Sequence, residues 1–350
     1  MVETLQENWK QAERGVLVDA GRKFWSKEKL LTLIDEMSVQ SFNRLQFHFS
    51  DNEGMRVECK AFPEITSEEH LTQEEVKEIL SYAKSHGIEI IPEFDIPGHL
   101  KQVLAHHLEW CLEMKTDTGE MTPLTSALDI TNREAVAFIS AILEEYMTLF
   151  EECSVFHLGA DEFIDFDELE KYPSLGEEAK RRFGEKAHPL DCYIDFVNQM
   201  SAKVKKRGFI TRVWNDGFLR LNADTTVPLD KELEICYWTR WDKFMAPVST
   251  WLENGYRLVN FNDNYFYYVL GNSSYAFPTA ERIHKEWEIN EFSAKQIVSE
   301  EEMSQVIGTY LSIWADKPDL QTCDEILAAL PPILESIAQK ERKEKVANGY

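Results

Sequence analysis

Short apolar runs rich in β-branched and aromatic residues alternate along the chain with longer segments whose apolar positions recur at helical spacing. Eight runs have the length of strands: GVLVDA (15–20), NRLQFHFS (43–50), IEIIPEFD (88–95), VFHLGADE (155–162), ITRVWND (210–216), LEICYW (233–238), RLVNFN (257–262) and VIGTYLSIW (306–314). The segments KEKLLTLIDEMSVQ, TQEEVKEILSYAKSHG, TNREAVAFISAILEEYMTLF and PLDCYIDFVNQMSAKVKKRG read as amphipathic helices, and CDEILAALPPILESIAQK closes the series. Gly87 and Gly208 stand just before strands, where a helix ends on a left-handed residue. Strands alternating with crossover helices imply a parallel sheet, and eight of them predict an α/β fold, a single-domain (β/α)8 TIM barrel over residues 1–350.

Two connections are longer than ordinary loops. The stretch 96–129 contains GHLKQVLAHHLEWCLEM, read as a further helical piece, and the stretch 263–302 carries the aromatic run NYFYY. No repeat, linker or low-complexity tract marks a second domain.

Charge and cysteine usage narrow the function. Asp and Glu number 62 against 37 Lys and Arg, a formal net charge of −25 that repels phosphate backbones and anionic membrane surfaces, so neither nucleic acid nor membrane is an expected partner. The opening MVETLQENWKQAERG lacks a cationic stretch followed by an apolar run, and no segment approaches 18 uninterrupted apolar residues; a cytoplasmic location is the expectation. Six cysteines without a CxxC pair read as reduced, mostly buried thiols.

The chemistry-bearing residues gather where the strands end, which in a barrel is one mouth. Asp19 to Arg22, His48 to Asp51, Glu93 to His99, His157 to Glu162, Trp214 to Asp216, Trp238, Asn260 to Tyr265 and Trp314 to Asp316 all fall there. Paired carboxylates among tryptophans suit cleavage of a sugar linkage: one acid protonates the leaving oxygen, a second group stabilises the anomeric cation, and aromatic faces hold the ring. Metal binding is the rival reading, but His48, His99 and His157 stand singly, so no metal or cofactor is expected. Asp161 and Glu162 are neighbours, which an unbroken strand would point to opposite faces, and they are poorly placed to flank a scissile bond from both sides.

The segments LVDAGRKFWSKEKLLTLIDEMSVQSFNRLQFHFSDNEGMR, IPEFDIPGHL, FHLGADEF and SIWAD resemble, in order and spacing, the catalytic barrel of family 20 glycoside hydrolases, the β-N-acetylhexosaminidases. The resemblance spans roughly 15–316 and implies that the substrate's own 2-acetamido oxygen is the nucleophile, with retention of configuration. It implies Glu162 as general acid/base and Asp161 as the residue that orients the acetamide nitrogen. Tyr265 best matches the tyrosine that holds the acetamide oxygen, with Tyr267 and Tyr268 of NYFYY as rivals.

By the same resemblance Arg22 and Asp316 read the outer hydroxyls of a non-reducing end, and Trp214, Trp238 and Trp314 wall the pocket. Asp51, Asp95 and His99 support the acid pair. Ala160 stands for a frequent Gly, Met55 for a Trp, Tyr267 for an Asp and Asp316 for a Glu, changes that bear on sugar epimer and aglycone. The small α/β domain that often precedes this barrel has no counterpart in the sequence read. The implied substrate is an oligosaccharide or glycoconjugate ending in N-acetylglucosamine or N-acetylgalactosamine; release of a disaccharide and sugar binding without turnover are the alternatives.

Overall fold

The computed structural model describes residues 9–271 and 275–343. Eight strands run in chain order as β1 (Glu13–Asp19), β2 (Arg44–His48), β3 (Glu89–Glu93), β4 (Val155–His157), β5 (Ile210–Trp214), β6 (Glu234–Tyr237), β7 (Arg257–Asn260) and β8 (Val306–Trp314). Each pairs in parallel with the next, and β8 also pairs in parallel with β1, so the sheet closes into the expected (β/α)8 barrel. All eight predicted runs supply one strand each.

Alternation along a strand splits the core in two. Val16 and Val18 of β1 join the large apolar cluster shared with Leu33 and Ile34 of helix α1 (Lys27–Val39). Leu17 between them joins Ile91, Trp214, Val259 and Tyr310 in a second cluster inside the ring. Gly15 makes room there, because a Cβ at that position would lie 2.1 Å from the Tyr310 ring. Below that layer Arg212 is ion-paired to Glu13 at 3.0 Å and Glu234 at 2.8 Å, with the Tyr310 hydroxyl donating to Glu13 at 2.6 Å. This buried polar plug closes the end of the barrel opposite the strands' carboxyl ends.

The predicted helices form as α1, α2 (Gln73–Ser85), α3 (Arg133–Leu149), α5 (Leu190–Lys206) and α8 (Cys323–Glu341). Capping boxes, Thr72 with Glu75 and Thr322 with Glu325, start α2 and α8. Gly87 and Gly208 adopt φ of +71° and +94° after α2 and α5. Among the described residues α4 (Pro173–Phe183), α6 (Val248–Glu253), α7 (Ala280–Glu286) and a single helical turn at Asp263–Phe266 go beyond the sequence expectation.

One expectation fails in part. Within 98–114 only Lys101–Leu104 is α-helical; Cys111–Lys115 is a strand paired antiparallel with Met121–Leu128. A turn ending at Gly119, φ +87°, drives the pairing and overrides the helical spacing of the apolar residues. Among the described residues no helix is long and apolar enough to cross a membrane. All six cysteines are free thiols, and five are buried.

Candidate active site

The last residues of the eight strands are Asp19, His48, Glu93, His157, Trp214, Tyr237, Asn260 and Trp314. They bring most of the polar and aromatic groups singled out from sequence to one mouth. There a cavity of about 180 Å³ is lined by Arg22, Asp51, His99, Asp161, Glu162, Trp214, Trp238, Trp314 and Asp316, together with His48, Tyr267, Val269 and Tyr275.

The adjacent acids reach this cavity together because the backbone leaves the strand after His157. Gly159, Ala160 and Glu162 have φ of +67°, +69° and +43°, and a non-glycine residue held there costs on the order of 1–3 kcal/mol. Gly159 is obligatory, since a Cβ would lie 1.8 Å from Asp95 Oδ1. Three hydrogen bonds hold the turn. Ala160 N donates to Asp95 Oδ1 at 3.1 Å, the Tyr193 hydroxyl donates to the Ala160 carbonyl, and Glu162 N donates to Asp216 Oδ2 at 2.9 Å. The turn cancels the opposed directions of neighbouring strand residues: Asp161 Oδ2 and Glu162 Oε2 lie 3.5 and 3.6 Å from the same atom, His99 Nε2.

Charge is distributed unevenly over this cluster. Burial works against a charge on His99, but the Asp161 carboxylate beside it holds its pKa well above the ordinary value, which favours the imidazolium. Burial would raise Asp161, and His99 outweighs it, keeping Asp161 a carboxylate with a pKa near 2. Burial and the Asp161 charge push Asp95 well above the usual carboxylate range. Asp95 Oδ2 and Asp161 Oδ1 are buried oxygens that no protein N–H reaches, as expected of two carboxyls where one holds a proton. Asp216 is pushed up to about 7 by burial and by Asp161, and its second oxygen accepts from Trp238 Nε1 at 3.1 Å.

A second network fixes the far wall. His48 Nε2 lies 2.8 Å from Asp51 Oδ2, and His48 Nδ1 lies 3.1 Å from Glu93 Oε1, which accepts from Trp214 Nε1 at 2.9 Å. Arg22 pairs with Asp19 at 2.9 Å and Asp51 at 3.2 Å, and its guanidinium lies 5.5 Å from the Trp314 ring centre. Asp19 also accepts from Ala315 N at 3.0 Å, tying β1 to the loop that bears Asp316. Trp238 and Tyr267 stack in parallel with centroids 5.8 Å apart, and Trp314 lies 6.0 Å from Tyr267. The result is a small, aromatic-walled cavity with a fixed cation at one side and two acids at the other.

Tyr265, expected to touch the substrate, lies outside this cavity. Its ring, 1% exposed, lies under the Arg282 guanidinium at 4.6 Å, and its hydroxyl receives Lys295 Nζ at 3.2 Å, in a neighbouring hollow. Tyr267 takes the cavity wall instead. The reason is local: Asp263–Phe266 is a helical turn and Tyr267–Val269 is extended and paired with β8, so strand alternation does not relate 265 to 267. Sequence reasoning also gave no separate role to Asp216, although VWND places it two residues beyond Trp214 at a strand end.

Among the described residues three groups lie close enough to hold a cation: Asp19, His48 and Asp51; His48, Glu93 and Asp95; Asp95, His99 and Asp161. Histidines that stand singly in sequence are thus each brought beside carboxylates by the barrel. Their observed use is mutual, since His48 bridges Asp51 and Glu93, and His99 bridges Asp51 and the acid pair.

Residues 12–327 match Glycosyl hydrolase family 20, catalytic domain, and the chain belongs to that family. A lacto-N-biosidase of Bifidobacterium bifidum is 28% identical over 257 residues, covering 73% of this chain and 22% of that protein. A beta-hexosaminidase of Akkermansia muciniphila is 26% identical over 330 residues, covering 88% of this chain and 64% of that protein. The chain therefore spans less than two thirds of the length of these relatives. The solved structure of Dispersin B is similar at a TM-score of 0.74 and 24% identity, over 94% of this chain and 99% of that one. The beta-N-acetylhexosaminidase of Bacteroides fragilis gives 0.77 at 19% identity, over 98% and 68%. At these identities the two structures speak to the fold.

Proposed function

We propose that this chain is an exo-acting, retaining β-N-acetylhexosaminidase that releases terminal N-acetylglucosamine or N-acetylgalactosamine with help from the substrate's acetamide. The observation that carries the reading is the contact of Asp161 and Glu162 with one imidazole nitrogen. Two carboxylates acting as acid and nucleophile flank the scissile bond from opposite faces, whereas these stand side by side on one turn. The nucleophile then comes from the sugar.

With the terminal ring between Trp214, Trp238 and Trp314, the anionic Asp161 accepts the acetamide N–H and turns the carbonyl oxygen toward the anomeric carbon. Tyr267 donates to that oxygen. As the C–O bond to the leaving group breaks, the acetamide oxygen bonds to the anomeric carbon and Glu162 gives its proton to the departing oxygen. The oxazolinium so formed carries positive charge beside Asp161. Water, deprotonated by Glu162, opens it from the face the leaving group vacated, which restores the original configuration. Arg22, held by Asp19 and Asp51, and Asp316 meet the outer hydroxyls. Relatives named beta-hexosaminidases support the activity.

Glu162→Gln tests the assignment. On a substrate with a poor leaving group it should lower kcat by about 10²–10⁴, and Asp161→Asn should cripple turnover as well. Undiminished hydrolysis by both variants would refute it.

A second reading, release of a disaccharide, is favoured by one feature: a hollow of about 530 Å³, lined by Arg22, Asp51, Asn52, Glu53, Asp316 and Pro318, adjoins the cavity past its Arg22 side. The mass of the first product released from a labelled glycan separates the two.

A further inference from the structure

Helix α5 buries Leu190, Tyr193, Val197, Met200 and Val204 at helical spacing. A phenylalanine would fill that face as well as Tyr193 does, for its fully buried ring lies nearly parallel to Phe163, with centroids 5.5 Å apart, and to Phe218 at 4.8 Å. The hydroxyl is the part that packing does not explain, because burying it is unfavourable unless it finds a partner. Its partner is the Ala160 carbonyl. The β5 loop leaves room for it: a Cβ on Gly217 would lie 2.6 Å from the phenolic oxygen.

Two loops meet at this side chain. Phe163 follows the acid pair after β4, and Phe218 lies two residues beyond Asp216 after β5. The anchors divide between the two acids. Glu162 is fixed through its own N–H, which donates to Asp216 Oδ2 at 2.9 Å. The Ala160 carbonyl belongs to the peptide that leads directly into Asp161, so the Tyr193 hydroxyl fixes the direction in which Asp161 leaves the turn. That peptide needs holding, since Ala160 has φ of +69°, where a residue with a Cβ is strained. The Asp161 side chain has little else to orient it: His99 Nε2 lies 3.5 Å from Oδ2, and no protein N–H reaches Oδ1.

We propose that Tyr193 is a positioning residue for Asp161, its hydroxyl holding the Ala160–Asp161 peptide in the orientation that aims the carboxylate at the substrate's acetamide. The inference rests on the substrate-assisted reaction proposed above. It gives the adjacent acids separate supports, Tyr193 from helix α5 for one and Asp216 from the β5 loop for the other, so that removing each support leaves its own kinetic signature.

The experiment removes one oxygen, by Tyr193→Phe, and follows kcat on aryl β-N-acetylglucosaminides of graded phenol acidity, with the methyl β-glycoside of N-acetylglucosamine as the poorest leaving group. Leaving the buried Ala160 carbonyl without a donor should lower kcat about tenfold. Asp161 acts on the acetamide whatever leaves, so the loss should be even across the series. A general loosening of the turn would displace Glu162 too, and the loss would then grow as the leaving group worsens. In an Asp161→Asn background the same change should lower kcat less than about twofold. An undiminished kcat in Tyr193→Phe, a loss that grows along the series, or a tenfold loss that persists beside Asp161→Asn would overturn the assignment. Hydrolysis of none of these compounds by the unaltered chain would instead overturn the hexosaminidase reading, and this assignment with it.

Discussion

Replacing Asp216 by Asn tests how Glu162, the proposed general acid, is held. Asp216 accepts two hydrogen bonds in a buried place, from Glu162 N at 2.9 Å and from Trp238 Nε1 at 3.1 Å. The amide of Asn has one accepting oxygen, so its NH₂ must face one of those two N–H groups. A buried donor left without an acceptor costs about 1–3 kcal/mol, and each 1.36 kcal/mol in the barrier is tenfold in rate, so kcat should fall roughly 5- to 150-fold. Burial and the Asp161 charge push the Asp216 carboxyl up to about 7. Well below that pH it is neutral, and the loss then reports hydrogen-bond geometry rather than a missing charge. The assay is a series of aryl N-acetylhexosaminides whose phenols differ in acidity. A displaced Glu162 donates its proton poorly, so the loss should be greatest for the least acidic phenol and shrink toward the most acidic. No loss at all, or the same loss on every member of the series, would refute the claim that Asp216 positions the acid.

Tyr267→Phe should lower kcat on the methyl glycoside by about 10²-fold, the cost of removing one donor to a charge-bearing oxygen. Tyr265→Phe, which lies outside that cavity, should fall short of that loss by at least about tenfold; equal losses would return the acetamide contact to Tyr265. Glu341 near the end of α8 is fully buried with no hydrogen-bond donor to either oxygen, and burial pushes it up to about 8 from 4.5. Between those values the folded chain keeps a proton that the unfolded chain has lost. The stability from this group is complete below 4.5 and is lost as pH rises through 8. Glu341→Gln should therefore stabilise the fold above pH 8 by on the order of a few kcal/mol, seen as a higher melting temperature, and have little effect at pH 4; a variant no more stable than the parent at alkaline pH would contradict this.

The barrel was readable because its strands are buried on both sides and so appear as mostly apolar runs such as VIGTYLSIW, with Gly87 and Gly208 marking helix ends. What misled was 98–114, where Leu100, Val103, Leu104 and Leu108 keep helical spacing while the Asp117–Thr118–Gly119 turn and its partner strand decide the outcome. Helix α4 carried its own signals, Pro173 at its first position and Gly184 after its end, but its strongly charged face hid the apolar stripe of Leu175 and Ala179. Within the site, Asp161 and Glu162 stood out as adjacent acids at a strand end, yet their convergence on His99 depends on the left-handed turn at 159–162, which residue type alone does not announce. That Tyr267 and not Tyr265 reaches the cavity wall was illegible for a similar reason, a change from helical turn to strand between the two.

Stepwise fluorination of the substrate's acetyl group probes the account where it is most exposed. Each fluorine draws electron density from the carbonyl oxygen while scarcely changing its size. If that oxygen attacks the anomeric carbon beside Asp161 and Glu162, kcat should drop steeply from acetyl through mono-, di- and trifluoroacetyl. A kcat indifferent to fluorination would mean that the nucleophile is something other than the sugar's own amide.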